Sequence, residues 1–570
     1  MPQTASRNWY PVTTDPKAIR AKLENRYNYL RFERSTWRDH WRELSENIRP
    51  RRFRWNPSDR YRSGTQRNQR ILNNTATRSS RVLSSGMMAG VTSPARPWFR
   101  LTLSDQYLME RQDVRSWLAD VEERMQQVFS RSNLYSSLPM VYSDMGDYGT
   151  ACMMLEEDED DVIRTSVDPI GSYCLAQDHS GRVHARYKET TRTAEQLVEH
   201  FGIENVSPTT ANLYKSTPDA WIEVIHVVEP NDDRIAERRD WAGMPYRSVW
   251  YEYQDNHKGD DGLLGLSGYQ EFPAMCPRWS VVGEDVYGEC PGMDALPDIK
   301  GLQHLEKRRA QALDKVVNPP MNAPASMRRR RGSILTGDIN YYRRTDGNQK
   351  FEPAHIVDPK IVYLGEELTR YERRIESTYF VDLFMLMTMR PTVEKTAREI
   401  DELHEEKMLQ LGPVLENLHD ELLEPLVQRT FGIMERRGML PPPPEDIVGV
   451  DYGVELISIL AQAQKLVGTV AVERQVEMGI RMSEGGMPEA LETLDADAVM
   501  RHYAKLLGTE PDLLRSIEEV TARRKQREQE QQAMAAAESM KNIGQAAAGL
   551  GNAQMTDQNA LGAMLGGLGQ

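Results

Sequence analysis

The densest cationic run in the chain is Arg328, Arg329, Arg330 and Arg331. Four adjacent guanidinium groups repel one another unless anions lie among them. The run therefore predicts contact either with phosphates or with carboxylates such as Glu366 and Glu367. Several catalytic patterns are approached and missed. His404-Glu405-Glu406-Lys407-Met408 begins like a zinc-protease helix, but Met408 stands where the second imidazole would have to be. The acidic run Glu156 to Asp161 lacks the glycine and the alternating oxygen ligands of a calcium loop. Gly262, Gly265 and Gly268 are not followed by the Lys-Ser/Thr pair that grips a nucleotide phosphate. No Gly-x-Ser-x-Gly turn presents a nucleophile. The expectation is a chain that is not an enzyme, with no catalytic residue, no metal and no cofactor.

The cysteines are Cys152, Cys174, Cys276 and Cys290. None forms a C-x-x-C pair, so reduced and mostly buried thiols are expected. No run of apolar residues is long enough to span a bilayer, and Met1 to Tyr10 lacks the apolar stretch of a signal peptide. The expectation is a protein made in the cytoplasm and not bound to membrane. The formal net charge of −14 hides an asymmetry. Residues 1–100 hold 19 Arg and 2 Lys against 7 acids, a balance of +14 that leaves −28 on the rest. The basic end is suited to nucleic acid, or to acidic faces of neighbouring copies. The acidic remainder argues against a surface coated by DNA, because phosphate contact needs Lys and Arg.

At 570 residues, the chain is too long for one core. Helical spacing recurs over 16–48 (Ile19, Leu23, Tyr27, Leu30, Trp37, Trp41, Leu44), over about 71–88, and over 113–130. Short strands separated by turn or acidic residues are predicted at 151–155, 162–167, 172–175 and 183–187, then at 220–229 and 247–253. Thr193 predicts a capped helix reaching Phe201. Two further helices, 294–317 and 361–380, flank a polar insert of short strands that contains the arginine run. A long amphipathic helix is expected from Thr392 or Val393 through Leu422, kinked by Pro413. Residues from about 455 to 526 read as helical. The Gly-rich end, Gly549 to Gln570, reads as flexible.

Three blocks resemble the head-to-tail connector, or portal, family of short-tailed bacteriophages. The first is Leu83-Ser84-Ser85-Gly86-Met87-Met88-Ala89-Gly90, followed by Pro94 and Pro97-Trp98-Phe99. The second is Phe272-Pro273 with Pro277-Arg278-Trp279, Gly283-Glu284, Tyr287-Gly288 and Pro291. The third is Arg390-Pro391 with Thr396-Ala397-Arg398-Glu399-Ile400, then Leu411-Gly412-Pro413. Each block is short. Their order across most of the chain is what makes the resemblance specific. The structural positions it marks are Gly86, Gly90, Trp98, Phe99, Arg278, Trp279, Tyr287, Gly288, Pro291, Thr396, Ala397 and Glu399.

The resemblance implies a mixed α+β fold, predominantly helical, assembled as a ring of roughly twelve copies around a DNA channel. It implies a wing over 1–290, a first stem helix over 291–318, a clip over 319–359 and a second stem helix over 360–382. A tunnel loop would follow over 383–393, carrying Phe384, Met385, Met387, Met389 and Arg390. The kinked wing helix would occupy 394–450, the crown 451–528, and a tail, either a barrel helix or disordered, 529–570. Arg328 to Arg331 would then sit in the clip, facing DNA or a docking partner. The implied partners are double-stranded DNA, the terminase large subunit, major capsid and scaffolding proteins, and tail adaptor or tail tube proteins. The implied place is the portal vertex of the virion, after assembly in the host cytoplasm. The competing readings are a tail adaptor or another virion component and, behind it, a packaging ATPase or nuclease, against which the missing phosphate loop counts.

Overall fold

The computed structural model describes residues 16–54, 70–103, 105–253, 262–317, 321–322, 352–353, 361–388, 410–447, 449 and 452–457, with short helical stretches between 478 and 541. The chain divides into two units, Met1–Gly468 and Thr469–Gln570. In the second unit the described stretches, such as 521–527, are helical and exposed.

The first unit opens on α1 (Pro16–Asn47). Its inward face carries Ile19, Leu23, Tyr27, Leu30, Trp41 and Leu44, three and four residues apart as the pattern predicts. Arg34 occupies a slot on that same face and is buried with them. The first half of α1 lies on an antiparallel sheet ordered β4 (Tyr173–Gln177), β5 (Val183–Thr193), β6 (Trp221–Pro230), β7 (Tyr246–Glu252), β8 (Gly265–Tyr269). Side chains alternate across a strand. Ile225 and Val227 therefore meet Leu23 and Tyr27, while Val224 turns to the other face and packs with Leu197. Leu197 belongs to α6 (Ala194–Phe201), which Thr193 and Gln196 start with a reciprocal capping box.

The main core gathers α2 (Thr75–Val91), α4 (Gln112–Arg131) and α5 (Leu134–Tyr148), together with β1 (Phe99–Leu103). A second sheet, ordered β3 (Val162–Val167), β2 (Met153–Asp158), β9 (Ala274–Met275), closes one side. Helix α5 has no clear period in sequence because it is buried nearly all round. Its Ser143, Asp144 and Asp147 point inward and find polar partners there.

Helices α8 (Pro291–Val317) and α9 (Ile361–Thr378) pack on each other. A short antiparallel pairing of Met321 with Pro353 and Asn322 with Glu352 stands beyond the end of α8. Gly301 allows the close approach, since a Cβ there would stand 2.8 Å from the Tyr371 ring.

Three expectations need correction. Residues 383–388 are not loop: α10 (Val381–Thr388) is helical, and Leu383 and Phe384 are buried, because the apolar run finds a groove on α2. The C-terminal helical region does not begin at 451. Tyr452–Leu456 form a strand, β12, that pairs with β1 from Phe99↔Leu456 to Leu103↔Tyr452. Among the described residues of the long helix, the departure from regular geometry is not at Pro413. Residues 410–418 are helical, and the ladder widens into a π-turn at His419–Leu423, followed by the helix Glu424–Arg436. Pro425 has no N–H to donate to the preceding turn, which accounts for the wider turn there.

Candidate functional site

The family-type blocks that lie in described residues converge where α8 and α9 meet the main core. Gly86 of α2 is a notch. A Cβ there would lie 2.2 Å from the Phe384 ring, so only glycine leaves room for α10 to dock. Just before it, Phe380 adopts φ 55, which ends α9 and turns the chain into α10. Gly90 is buried one turn beyond Gly86. Trp98 and Phe99 are core residues at the start of β1. The Trp98 indole stacks on Phe129 at 5.8 Å between centroids, and its Nε1 donates to the Tyr135 hydroxyl at 3.3 Å.

Arg278 is buried and clamps the π-turn. Its backbone N–H donates to Glu421 Oε2 at 2.8 Å, its Nε to Oε1 at 3.0 Å, and its Nη2 also donates to Oε1. Nη2 additionally reaches the Gly181 carbonyl at 2.7 Å. The adjacent Trp279 carbonyl accepts from Asn417 at 3.3 Å, and its ring lies 6.1 Å from that of Phe380. Tyr287 accepts from the Leu175 N–H at 3.2 Å and meets Trp41 edge-on at 4.9 Å. Gly288 and Gly149 touch backbone to backbone. A Cβ on Gly149, whose φ is +82, would stand 1.8 Å from the Gly288 carbonyl. Pro291 begins α8, a position where its missing N–H costs nothing.

Asp147 ties four elements together. Its carboxylate accepts from Ser80 of α2 at 2.8 Å, from Ser143 at 3.3 Å and from the Tyr379 hydroxyl beyond α9 at 3.3 Å. Arg49, just after α1, lies 3.8 Å away. Burial outweighs Arg49 and raises the Asp147 pKa to about 6. For an acid raised this way, the stabilising contribution is full below the unfolded value and is lost as pH rises through the folded one. Asp147→Asn is therefore expected to flatten the pH dependence between about 4 and 6. At neutral pH it should gain up to roughly 3 kcal/mol relative to the parent, less whatever the changed hydrogen bonds cost. Urea unfolding at pH 4, 6 and 7.5 measures this, and parallel curves for parent and variant would refute it.

The arginines of the basic N-terminal region, expected to face nucleic acid or other copies, largely meet acids and carbonyls of their own chain. Arg34 pairs with Glu189 at 2.6 Å, Arg26 with Glu229 at 3.1 Å and Arg52 with Asp144 at 2.6 Å. Arg20 donates to the Gly262 carbonyl at 2.9 Å. Arg247 joins Arg26 on Glu229, which also accepts from Tyr187. Below the sheet, Asp168 pairs with Arg186 and with Lys188 at 2.5 Å. Burial opposes its charge, yet the two cations prevail and hold its pKa down at about 2. Neighbouring His226 is stacked on Trp250 at 3.9 Å. Burial and the same cations keep it well below the ordinary imidazole value. These are stitches within one fold, and the buried charges are paired as burial requires.

Arg328, Arg329, Arg330 and Arg331 lie outside the described residues, as do Met389, Arg390, Thr396, Ala397 and Glu399. Met385 is on the open side of α10, and Met387 falls within that helix. His419, Asp420 and Glu424 bring potential ligand atoms within 4.8 Å of one another, on a partly exposed face. No helix among the described residues is long and apolar enough to cross a membrane.

Sequence reasoning missed Glu421, Asp147 and Gly149. Glu421 carries no signal of its own among the acids of an amphipathic helix. Gly149 does carry one, because a glycine directly after an apolar helical stretch marks a left-handed C-terminal cap.

Comparison with known proteins bears on the whole chain. The family described as "Bacteriophage head to tail connecting protein" matches residues 20–514. The "Portal protein" of Salmonella phage epsilon15 is 41% identical over 543 residues, covering 95% of this chain and 97% of the relative. The "Probable portal protein" of Bordetella phage BPP-1 is 40% identical over 545 residues, with the same shares. A chain from the neck of an empty GTA particle is 12% identical, covers 77% of this chain and 91% of its own, and has a TM-score of 0.36, too low to carry an argument. With the match spanning both the junction and the arginine-rich insert, this chain belongs to the bacteriophage head-to-tail connecting protein family.

Proposed function

We propose that the chain is the portal subunit of a short-tailed phage, with a structural and not a catalytic role. Copies close into a ring at one capsid vertex, and double-stranded DNA passes through it during packaging and ejection. The observation that carries this reading is full-length identity of about two residues in five to phage portal proteins. In this reading α8 and α9 are the stem, the insert between them is the clip, and much of the second unit is the crown. The terminase large subunit docks during packaging and a tail adaptor replaces it. Capsid and scaffolding proteins surround the ring during assembly.

The physics of the helical pair supports assembly. Past Glu306, α8 is exposed on nearly every side, including Leu313, Val316 and Val317, the last 79% exposed. Apolar side chains placed in water along one helix favour burial against further copies. The tunnel loop is restricted by the position of Phe384. Met389 and Arg390 remain the candidates for a contact with DNA, together with Met385 at its base.

Electron microscopy of the purified protein tests the ring. A closed ring with an opening wide enough for duplex DNA is expected, and a stable compact monomer under assembly conditions would sink the proposal. Replacing Arg328, Arg329, Arg330 and Arg331 by Ala tests the clip. Packaging or tail attachment should become more salt-sensitive by at least several-fold, since each phosphate contact releases counterions. Unchanged packaging and tail attachment would remove the arginines from that role.

A further inference from the structure

Cys152 and Cys276 face each other across the ladder between β2 and β9. Met153 pairs with Met275 and Met154 with Ala274, and Thr150 bridges Arg278. The same register sets Cys152 opposite Cys276. Backbone bonds fall at alternate positions. Leu155 donates to the Pro273 carbonyl at 2.8 Å, Ala151 to that of Pro277 at 3.1 Å, and Trp279 to that of Gly149 at 3.0 Å. The cysteines thus occupy a non-hydrogen-bonded pair, in which Cα atoms approach to about 4.5 Å. That separation lies inside the range a disulfide spans, about 4.4–6.8 Å. The sulfurs are 3.6 Å apart, Cys276 donating to Cys152. Cys152 in turn points its S–H at Asp168 Oδ2, 3.7 Å away. Cys174 and Cys290 are buried elsewhere, the first under α1 and the second at the start of α8.

We propose that Cys152 and Cys276 are an oxidisable pair that closes to an intramolecular disulfide when the folded protein meets a peroxide. The Cys152 thiol passes its proton to the Asp168 carboxylate. Its sulfur attacks one peroxide oxygen, the O–O bond breaks, and the departing hydroxide takes up that proton as water. Cys152 is left as a sulfenic acid. The Cys276 sulfur then attacks the sulfenic sulfur. The S–S bond forms as the S–O bond breaks, and the Cys276 proton leaves with that hydroxyl as a second water. Two thiols and one peroxide give one disulfide and two waters, so sulfur is oxidised and peroxide reduced.

The hydrogen bond to Cys152 and burial both raise the Cys276 thiol, which leaves the first attack to the sulfur beside Asp168. Both groups are buried, so closure waits on local opening and is slow. The bond would fix β9 two residues before Arg278, and with it the strand that grips Glu421. This chemistry does not depend on the portal reading, so a ring missing from micrographs would leave it standing.

The full-length protein is treated with hydrogen peroxide, alkylated in denaturant and digested without reduction. Mass spectrometry should find Cys152 linked to Cys276, two thiols lost per chain, and Cys174 and Cys290 alkylated. The linked peptide should vanish in Cys152→Ser and in Cys276→Ser. The oxidised parent should unfold at higher urea, reversibly with dithiothreitol. Because burial could simply exclude peroxide, the treatment is repeated in urea just below the unfolding transition. Four free thiols there, sulfinic acid in place of the link, or equal pairing with Cys174 or Cys290 would overturn the proposal.

Discussion

Arg278→Ala is expected to destabilise the first unit by about 3–5 kcal/mol, the usual cost of removing one member of a buried ion pair. The size follows from what is left behind. Glu421 keeps a mostly buried carboxylate with only the backbone N–H of residue 278 among its present donors. The carbonyl of Gly181 also loses its guanidinium partner. The cost should be recovered in large part by Arg278→Met combined with Glu421→Met, which removes both charges and refills the volume. Chemical unfolding of the four proteins of that cycle gives a coupling energy, and about 1.5 kcal/mol or more is expected for groups in direct contact. A single variant within 0.5 kcal/mol of the parent would show that the clamp contributes nothing. The consequence reaches assembly, because this pair connects the strand after β9 to the long helix. Arg278→Ala rings should be fewer, and any that form should dissociate sooner.

Phe384→Ala should cost about 3–5 kcal/mol, the range for emptying a buried aromatic site. Gly86→Ala should damage the same contact from the other side. Alanine favours a helix over glycine by about 1 kcal/mol, but its methyl would fall 2.2 Å from the ring carbons near the stem of Phe384. The ring cannot swing away as a flexible chain end would, so overpacking of about 1–3 kcal/mol opposes the gain. The two changes are expected to be non-additive. Gly86→Ala in the Phe384→Ala background should be neutral or stabilising, because the new methyl fills space the ring has left. Hydrogen exchange over residues 381–388 gives a local readout. Faster exchange in each single variant and partial recovery in the double one are expected, and strict additivity would refute the docking of α10 by this notch.

Much of this architecture can be read from periodicity. The faces of α1 and α4, the alternation in β5 and β6 and the capping box at Thr193 are local patterns in which each residue's environment follows from its neighbours along the chain. Helix α5 defeats that approach, because a helix buried on all sides has no polar face to reveal its period. Strand β12 defeats it too. Tyr452–Leu456 is short, and its partner Phe99–Leu103 lies some 350 residues earlier in sequence. Arg34 breaks the apolar stripe of α1, and only the position of Glu189 explains why a cation belongs there.

The motif blocks divide in the same manner. From the sequence alone, Gly86, Arg278 and Tyr287 are marked as positions tied to a family, and the absence of a nucleotide loop directs the reading toward a structural role. What each does was decided by tertiary structure. Gly86 makes room for a ring almost 300 residues away, Arg278 finds Glu421, and Asp147 joins α1, α2, α5 and the end of α9. Local patterns report which way a residue faces. The identity of its partner depends on long-range packing, in which any buried charge must meet one particular opposite charge and any close approach one particular glycine.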